Sequence, residues 1–218
     1  MSFEYKELKS RQRDIRDDLP PNLNLRVHRS LSWLHRSEME ESDNDAEFIF
    51  LWVAFNAAYA QEIHDRYKFS EQRIFLNFLQ KLIDLDQDKL LYQLVWTTFS
   101  GSIRTLINNQ YIFEPFWSFQ NGRISEQEWQ EKFLLSKNSA NKALGRMNTK
   151  KVLAIIFDRL YVLRNQLIHG GATWNGTVNR EQVRDGVNIM QRVVPIIIHL
   201  MLESKGELWG EPRYPVIK

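Results

Sequence analysis

Apolar residues recur at helical spacing along almost the whole chain, and this pattern limits the possible folds most strongly. The pairs Phe78/Leu79 and Leu82/Ile83 lie four residues apart and form one apolar stripe on a helix. No segment shows the alternation typical of a half-buried strand. The 9 glycines and 6 prolines among 218 residues are too few for a turn-rich all-β chain. The sequence therefore predicts an all-α protein with more than about 60% helix.

Capping residues, glycines and prolines indicate where these helices begin and end. Ser125-Glu-Gln-Glu128 matches a capping box, which predicts a helix toward Leu144. Asn148-Thr149 opens the next helix, and Gly170-Gly171 ends it. The aromatic segment from Tyr111 to Gly122 is expected to be irregular. The other predicted helices are Phe3 to Asp17, Asn22 or Asn24 to about Glu41, Ser42-Asp43 to about Tyr67, a helix capped by Ser70, Asp86 to Asn108 with a break at Ser100-Gly101, and Asn179 to about Ser204 with a capping box at Asn179 to Gln182 and a kink at Pro195.

The length fits one large domain or two small ones. We expect a single helical domain over residues 1–218, in which residues 1–20 form a peripheral N-terminal segment before a pair of prolines. Residues 22–205 then form the bundle, and residues 206–218 form an extended tail.

Several classes of site are excluded by residues that the sequence lacks. There is no cysteine, so disulfides, Cys-ligated metals and thiol nucleophiles are ruled out. Neither a phosphate-binding glycine loop nor a G-x-S-x-G turn occurs. None of the 5 histidines follows a Glu by three residues, and we interpret His28 and His35, seven apart, as ordinary half-buried histidines. We therefore expect no cofactor and no metal.

The charge and hydropathy patterns indicate a cytoplasmic protein. The N-terminus is dense in charge and has no apolar signal region. The most apolar stretch, Phe48 to Ala60, is too short to span a bilayer. The net charge is only +2, so the chain is not a uniformly basic nucleic-acid coat.

One predicted helix ends in polar side chains although most of its residues are aliphatic. Arg164, Asn165 and His169 lie in its last turns, and Asn165 and His169 share one face because they are four residues apart. The long side chain of Arg164 can swing toward His169. Polar groups on a largely buried helix lower the stability of the fold unless they form hydrogen bonds or ion pairs, so they are also candidates for a functional role.

These three residue types together suit RNA cleavage. An imidazole can exchange a proton with a phosphodiester oxygen. A guanidinium binds phosphate through a planar fork and stabilises extra charge in the transition state. An asparagine amide can orient either group. Such a site needs no metal, and attack by the neighbouring 2′-hydroxyl leaves a cyclic phosphate and a 5′-hydroxyl.

Arg164-Asn165-x-x-x-His169 followed by Gly170, near the end of a late helix, resembles the signature of HEPN domains and is most similar to the Apea-like branch. The resemblance implies an up-and-down helical bundle with additional peripheral helices, which forms a homodimer with the motif facing its copy. It implies Arg164 and His169 as the catalytic pair, with Asn165 as the polar residue after the arginine. Many such domains are metal-independent endoribonucleases in toxin–antitoxin, abortive-infection or other defence systems, and others are non-catalytic binding modules.

Other residues are candidates for binding RNA. The segment from Lys132 to Phe157 contains six bases and no acid, which predicts either an RNA groove or a solvated face. Trp174 could stack on a base or pack against the last helix. The RNA-binding candidates are Lys142, Arg146, Lys150, Lys151 and Trp174.

The sequence thus favours an endoribonuclease that cuts single-stranded or loop RNA, with an antitoxin or defence protein as a possible partner and no membrane. The alternative is a non-catalytic helical module that binds a nucleotide, RNA or a partner protein. A third interpretation is a structural dimer whose motif only helps to hold the interface. In a further interpretation the motif has no such role, and Arg164 is only a helix-end cation and His169 only a residue before a glycine cap. The looser spacing of Arg164 and His169 also occurs in Arg29 to His35 and in Arg192 to His199, but neither arginine is followed by Asn.

Overall fold

The structure, a computed structural model, describes residues 3–40, 42–59, 71–177, 179–204, 209–212 and 214. Helices account for 78% of these residues, and no β-strand occurs among them. The all-α prediction is confirmed.

The helices follow one another along the chain, and two turns of other helical types lie among them. A π-helical turn (Leu94–Thr98) follows α5, and a 3-10 turn (Gln110–Ile112) precedes α7. The α-helices in the described part of the chain are α1 (Tyr5–Ile15), α2 (Pro21–Glu38), α3 (Asn44–Tyr59), α4 (Glu71–Leu85), α5 (Leu90–Gln93), α6 (Ser100–Asn108), α7 (Glu114–Gln120), α8 (Glu126–Gly145), α9 (Thr149–Ile168) and α10 (Arg180–Glu203). The predicted extension of α3 to Tyr67 and the predicted cap at Ser70 lie outside the described residues.

The chain forms two compact units. Unit 1 comprises Met1–Leu90 and Val187–Lys218, and unit 2 comprises Leu91–Gly186. The single domain expected over 1–218 stays a prediction, because two compact units can belong to one domain or to two.

Unit 1 is built on the contact between α2 and α3. Val27 and Leu31 of α2 are fully buried, and the Ser30 hydroxyl donates to the Ala54 carbonyl at 2.8 Å. The buried guanidinium of Arg26 donates to the carbonyls of Tyr59 and Trp209, which holds a residue of the tail against this unit. Helix α1 packs on α2, and its buried residues are Leu8 and Gln12.

Helix α2 begins differently from the prediction, which placed its cap at Asn22 or Asn24. Pro20 is the N-cap and Pro21 the first helical residue. Proline suits this position because its missing N–H would have no partner in the first turn and its φ is already helical. The side chain of Asn24 instead accepts a hydrogen bond from Gln12 of α1 at 2.6 Å.

The prediction of irregular structure from Tyr111 to Gly122 was wrong. Residues Glu114–Gln120 form α7, which Pro115 supports in its first turn. The Asn109 side chain accepts from the Tyr111 N–H at 2.8 Å and caps the preceding 3-10 turn. Phe116 then packs edge-on against Trp129 of α8 at 5.3 Å, so the aromatic residues that obscured the pattern stabilise the helix by tertiary contact.

The sequence predicts a break at Ser100-Gly101, and in the structure the break lies one residue earlier, at Phe99. Phe99 ends the π-helical turn by donating its N–H to the Leu94 carbonyl, and Ser100 then begins α6. The turn at Lys89, whose φ is 56°, separates α4 from α5.

The starts of α8 and α9 and the end of α9, which carries the candidate site residues, were predicted correctly. Ser125 accepts from the Glu128 N–H at 3.2 Å at the start of α8. Asn148 accepts from the Lys151 N–H at 3.0 Å at the start of α9, and Gly170, with a φ of 70°, follows its last residues.

Helix α10 contains Pro195 in its interior, and the helix continues on both sides of it. It is the one described helix long and apolar enough to cross a membrane by length and composition. In the structure 72% of the most apolar 18-residue stretch of this helix is buried, as in a helix of a protein core.

We predict that Asn148→Ala lowers the free energy of unfolding by about 1 kcal/mol, because it removes the acceptor for a first-turn N–H of α9. Asn148→Asp keeps this acceptor and should retain most of the stability. Chemical denaturation followed by circular dichroism measures both, and equal stability of wild type and the alanine variant would contradict the capping role.

Candidate active site

Helix α9 positions the candidate residues at its C-terminal end. Its core side contacts α6, α8 and the 3-10 turn, and the first four turns are largely apolar there. In the last turns the exposed face carries Tyr161 and Ile168, which are 50% and 47% exposed, while Arg164 and Asn165 are half-buried between them. The candidate residues therefore occupy a surface of unit 2, anchored on a buried helix.

Arg164 and Asn165 are in direct contact. Arg164 Nη1 donates to Asn165 Oδ1 at 2.8 Å, and the guanidinium carbon lies 5.8 Å from the centre of the Tyr161 ring. Arg164 Nε is buried and has no hydrogen-bond partner in the described part of the chain. Asn165 thus orients the guanidinium along the helix surface.

His169 is the C-cap of α9. Its backbone N–H donates to the Asn165 carbonyl at 3.0 Å, and its ring is exposed. No hydrogen bond, ion pair or ring contact joins the ring to another residue in the described ranges. The structure therefore places His169 one turn beyond Asn165, as predicted from the spacing, but without contact to Arg164.

The two glycines after His169 serve different purposes. Gly170 adopts the left-handed conformation that ends the helix. The Gly171 N–H donates to the Gln166 carbonyl at 2.7 Å, and a Cβ at Gly171 would lie 3.1 Å from the same oxygen. The chain can turn this tightly after His169 because neither position bears a side chain.

Gln166 holds the end of α9 in place, a role that sequence analysis missed. Its Nε2 donates to the Tyr111 carbonyl at 2.6 Å, and its Oε1 accepts from Asn179 Nδ2 at 3.0 Å. Trp117 Nε1 donates to the same carbonyl at 2.7 Å. These partners are far apart in the sequence, so no local pattern indicates them.

Arg159 is a second arginine of α9 that sequence analysis did not single out. It is 1% exposed, and its Nη2 donates to Ser136 Oγ at 3.0 Å. Its guanidinium lies 4.2 Å from the centre of the Phe113 ring. Burial lowers the pKa of Arg159 to about 10, although the charge of Asp158 opposes this shift. The sequence does contain a sign of this burial, because Arg159 lies four residues before Leu163 and therefore on the apolar face of α9.

The predicted basic RNA-binding residues lie elsewhere. Lys142 and Arg146 are exposed at the end of α8, and Lys150 and Lys151 lie in the first turn of α9. Along α9, roughly 20 Å separate Lys151 from Arg164 at 1.5 Å per residue. The structure thus does not bring this cluster together with Arg164, Asn165 and His169.

Trp174 lies in the loop after α9 and is 74% exposed. This exposure is greater than packing into a core would leave, so its ring is accessible from solvent.

The histidines of the two looser matches are engaged in unit 1. His35 stacks on Tyr5 with ring centres 4.1 Å apart, and His199 lies 4.7 Å from Phe3. Burial, followed by the charge of Arg11, lowers the pKa of His199. His28 Nδ1 lies 3.1 Å from Lys9 Nζ.

Comparison with known proteins gives no relative. No protein-family model, no curated protein and no solved structure matches the chain. Within the described ranges, no group of three or more His, Asp or Glu side chains could hold a metal ion.

We predict that Gln166→Ala destabilises the protein by about 1 kcal/mol, the usual net contribution of a hydrogen bond, because it frees the end of α9 from the 3-10 turn. Gln130→Ala is the matched control, since its side chain only donates to Glu126 on the exposed surface of α8. Equal denaturation midpoints for both variants would show that the Gln166 contacts do not hold the helix end.

Proposed function

We propose that this protein is an endoribonuclease that cuts single-stranded or loop RNA without a metal. The observation that supports it best is the contact of Arg164 with Asn165 on the last turns of α9, one turn before an exposed histidine. A guanidinium, which can bind phosphate, and an imidazole, which can exchange a proton, thus belong to the same end of one helix. The all-α character agrees with the HEPN domains that the motif in the sequence resembles.

In the proposed reaction, His169 removes the proton from the 2′-hydroxyl, and the 2′-oxygen forms a bond to phosphorus. The bond from phosphorus to the 5′-oxygen breaks, and a second imidazole, which is protonated, donates its proton to that oxygen. Arg164 stabilises the additional negative charge on the phosphate. Asn165 positions Arg164, because its side-chain oxygen accepts from the guanidinium.

The second imidazole comes from another copy of the chain. One chain supplies one His169, whereas a two-fold interface brings the same surface of both copies together. The exposed apolar residues Tyr161 and Ile168 flank Arg164 and Asn165 on the same face of α9. Burying them in a homodimer would exclude water from the site and bring both motifs into one cleft.

The proposal includes the cytoplasm as the place of action and a toxin or defence role, with an antitoxin or defence protein as partner. A second candidate is the non-catalytic module that binds a nucleotide, RNA or protein. The lack of contact between Arg164 and His169 within one chain favours this candidate if the protein does not dimerise.

We predict that wild-type protein cuts RNA in excess EDTA and leaves cyclic-phosphate ends. His169→Ala should lose about a hundredfold or more of this activity because it removes the acid–base group. Arg164→Ala should lose a similar amount, and Arg164→Lys should recover only part of it, since an ammonium cannot form the bidentate fork. Asn165→Ala should fall between these variants and wild type. Gel analysis of a labelled RNA with end-group mapping measures each effect.

His35→Ala and His199→Ala are the controls, because these histidines belong to the two looser matches. Both should cut as wild type does, and circular dichroism should show that all variants are folded. Activity that requires added metal, or a fully active His169→Ala variant, would contradict the mechanism and favour the binding module.

We predict a homodimer in solution that Ile168→Asp converts to a monomer with little activity, because the new charge would be buried at the interface. Leu135→Asp is the matched control, since Leu135 is also an exposed apolar residue, at 67%, but lies on α8. Light scattering together with the cleavage assay tests this. Wild-type protein that remains monomeric at tens of micromolar would overturn the shared site.

A further inference from the structure

An open groove lies in unit 2, beside the end of α9. Its volume is about 590 Å³. It is formed by the last turn of α6, the 3-10 turn and the first turn of α10. The residues that matter for its chemistry are Arg104, Asn108, Gln110, Tyr111 and Gln182.

The lining of the groove combines one cation with several amides. Arg104 is exposed, takes part in no ion pair within the described ranges, and has no carboxylate among the other lining residues. The Asn108 amide donates to the Arg104 carbonyl, so its oxygen remains available as an acceptor. The side chains of Gln110 and Gln182 make no hydrogen bond to any described residue. This set favours a ligand that has both an anionic group and a hydrogen-bonding edge.

Tyr111 adds an aromatic surface to the groove. Tyr111 is 47% exposed, and its ring is held edge-on against Phe116, with ring centres 5.4 Å apart. Its backbone carbonyl is fixed by Gln166 and Trp117, so the ring is carried by a rigid segment. Aromatic side chains on such segments stack on unpaired bases, whose edges amides can read.

Gln166 links the groove to the end of α9, because it donates to the backbone carbonyl of the lining residue Tyr111. Successive residues of a helix are offset by about 100°, so His169 lies between Asn165 and Gln166 around α9. Arg164 lies on the far side of Asn165. The order around the helix is therefore Arg164, Asn165, His169 and Gln166, and Arg164 and Gln166 lie on opposite edges of its exposed face. Gln166 in turn donates to the Tyr111 carbonyl at 2.6 Å.

From this arrangement we infer that the groove binds one unpaired nucleotide of the RNA, on the side of the candidate active site where His169 lies. Tyr111 stacks on the base, the amides of Asn108, Gln110 and Gln182 bind its edge, and Arg104 binds the adjoining phosphate. The inference rests on the proposed function, because it names the part of the same substrate that flanks the cleaved bond.

The test measures binding separately from cleavage. The probe is a short fluorescently labelled single-stranded 2′-O-methyl RNA, which has no 2′-hydroxyl to attack, and anisotropy gives its affinity for the full-length protein. Arg104→Ala should weaken binding about tenfold. It should also reduce the slope of log affinity against log salt concentration by about one. Tyr111→Leu should also weaken binding about tenfold, whereas Tyr111→Phe keeps the ring and should bind as wild type does.

Arg123→Ala is the matched control, because Arg123 is an exposed arginine of unit 2 that does not line the groove. It should change the affinity less than twofold. Circular dichroism of every variant separates lost binding from lost folding. Adenosine monophosphate, added as a competitor, distinguishes an RNA site from a site for a free nucleotide and should displace the probe only weakly.

The outcomes separate this inference from the proposed function. If wild type cuts RNA but folded Arg104→Ala and Tyr111→Leu bind the probe normally, the groove assignment is overturned and the nuclease stands. If these variants lose affinity but wild type cuts no RNA, the groove is supported and the nuclease is overturned. A wild type that does not bind the probe, or that binds adenosine monophosphate as tightly as the probe, overturns the groove as an RNA site.

Discussion

Unit 2 depends on the burial of α9. This helix places Val152, Ile156, Leu160 and Leu163 at 1% exposure or less, against α8, α6 and the 3-10 turn. Each such side chain contributes about 1.5–3 kcal/mol by leaving water. The four together exceed the roughly 1–3 kcal/mol that the buried, unpartnered Nε of Arg164 costs. The core therefore fixes the helix, and its last turns can carry polar groups that do not improve stability.

The two arginines of α9 show why only one of them is available to a ligand. Arg159 is enclosed, and its charge lies against Phe113 and Ser136. Arg164 has Asn165 as its side-chain partner and remains in contact with solvent. The buried Arg159 therefore packs in the core against an aromatic ring and a hydroxyl, whereas Arg164 presents its guanidinium at the surface. Position on the helix, and not residue type, decides between these roles.

The features that sequence predicted correctly are those set by neighbouring residues. The caps at Ser125 and Asn148 and the left-handed Gly170 each depend on a few consecutive positions. The start of α2 was misplaced because asparagine is a good cap, but the proline at position 21 suits the first helical position better. Tertiary contacts determine what the sequence could not show. Gln166 binds a carbonyl 55 residues away, and α7 is stabilised by aromatic packing on α8. The candidate triad was therefore predictable as a helical pattern, but its surroundings were not.

The charge of the protein limits how it could hold a nucleic acid. A net charge of +2 gives no general attraction for a polyanion, so affinity must come from a few placed groups. Lys150 and Lys151 lie at the start of α9 and Arg164 lies near its end, so that roughly 20 Å separate Lys151 from Arg164 at 1.5 Å per residue. A single nucleotide is too short to contact both the lysines and Arg164. Binding that depends on Arg104 and Arg164 alone would release few counterions and would weaken only gently with salt, whereas binding that recruits the lysines requires a longer strand and a steeper dependence.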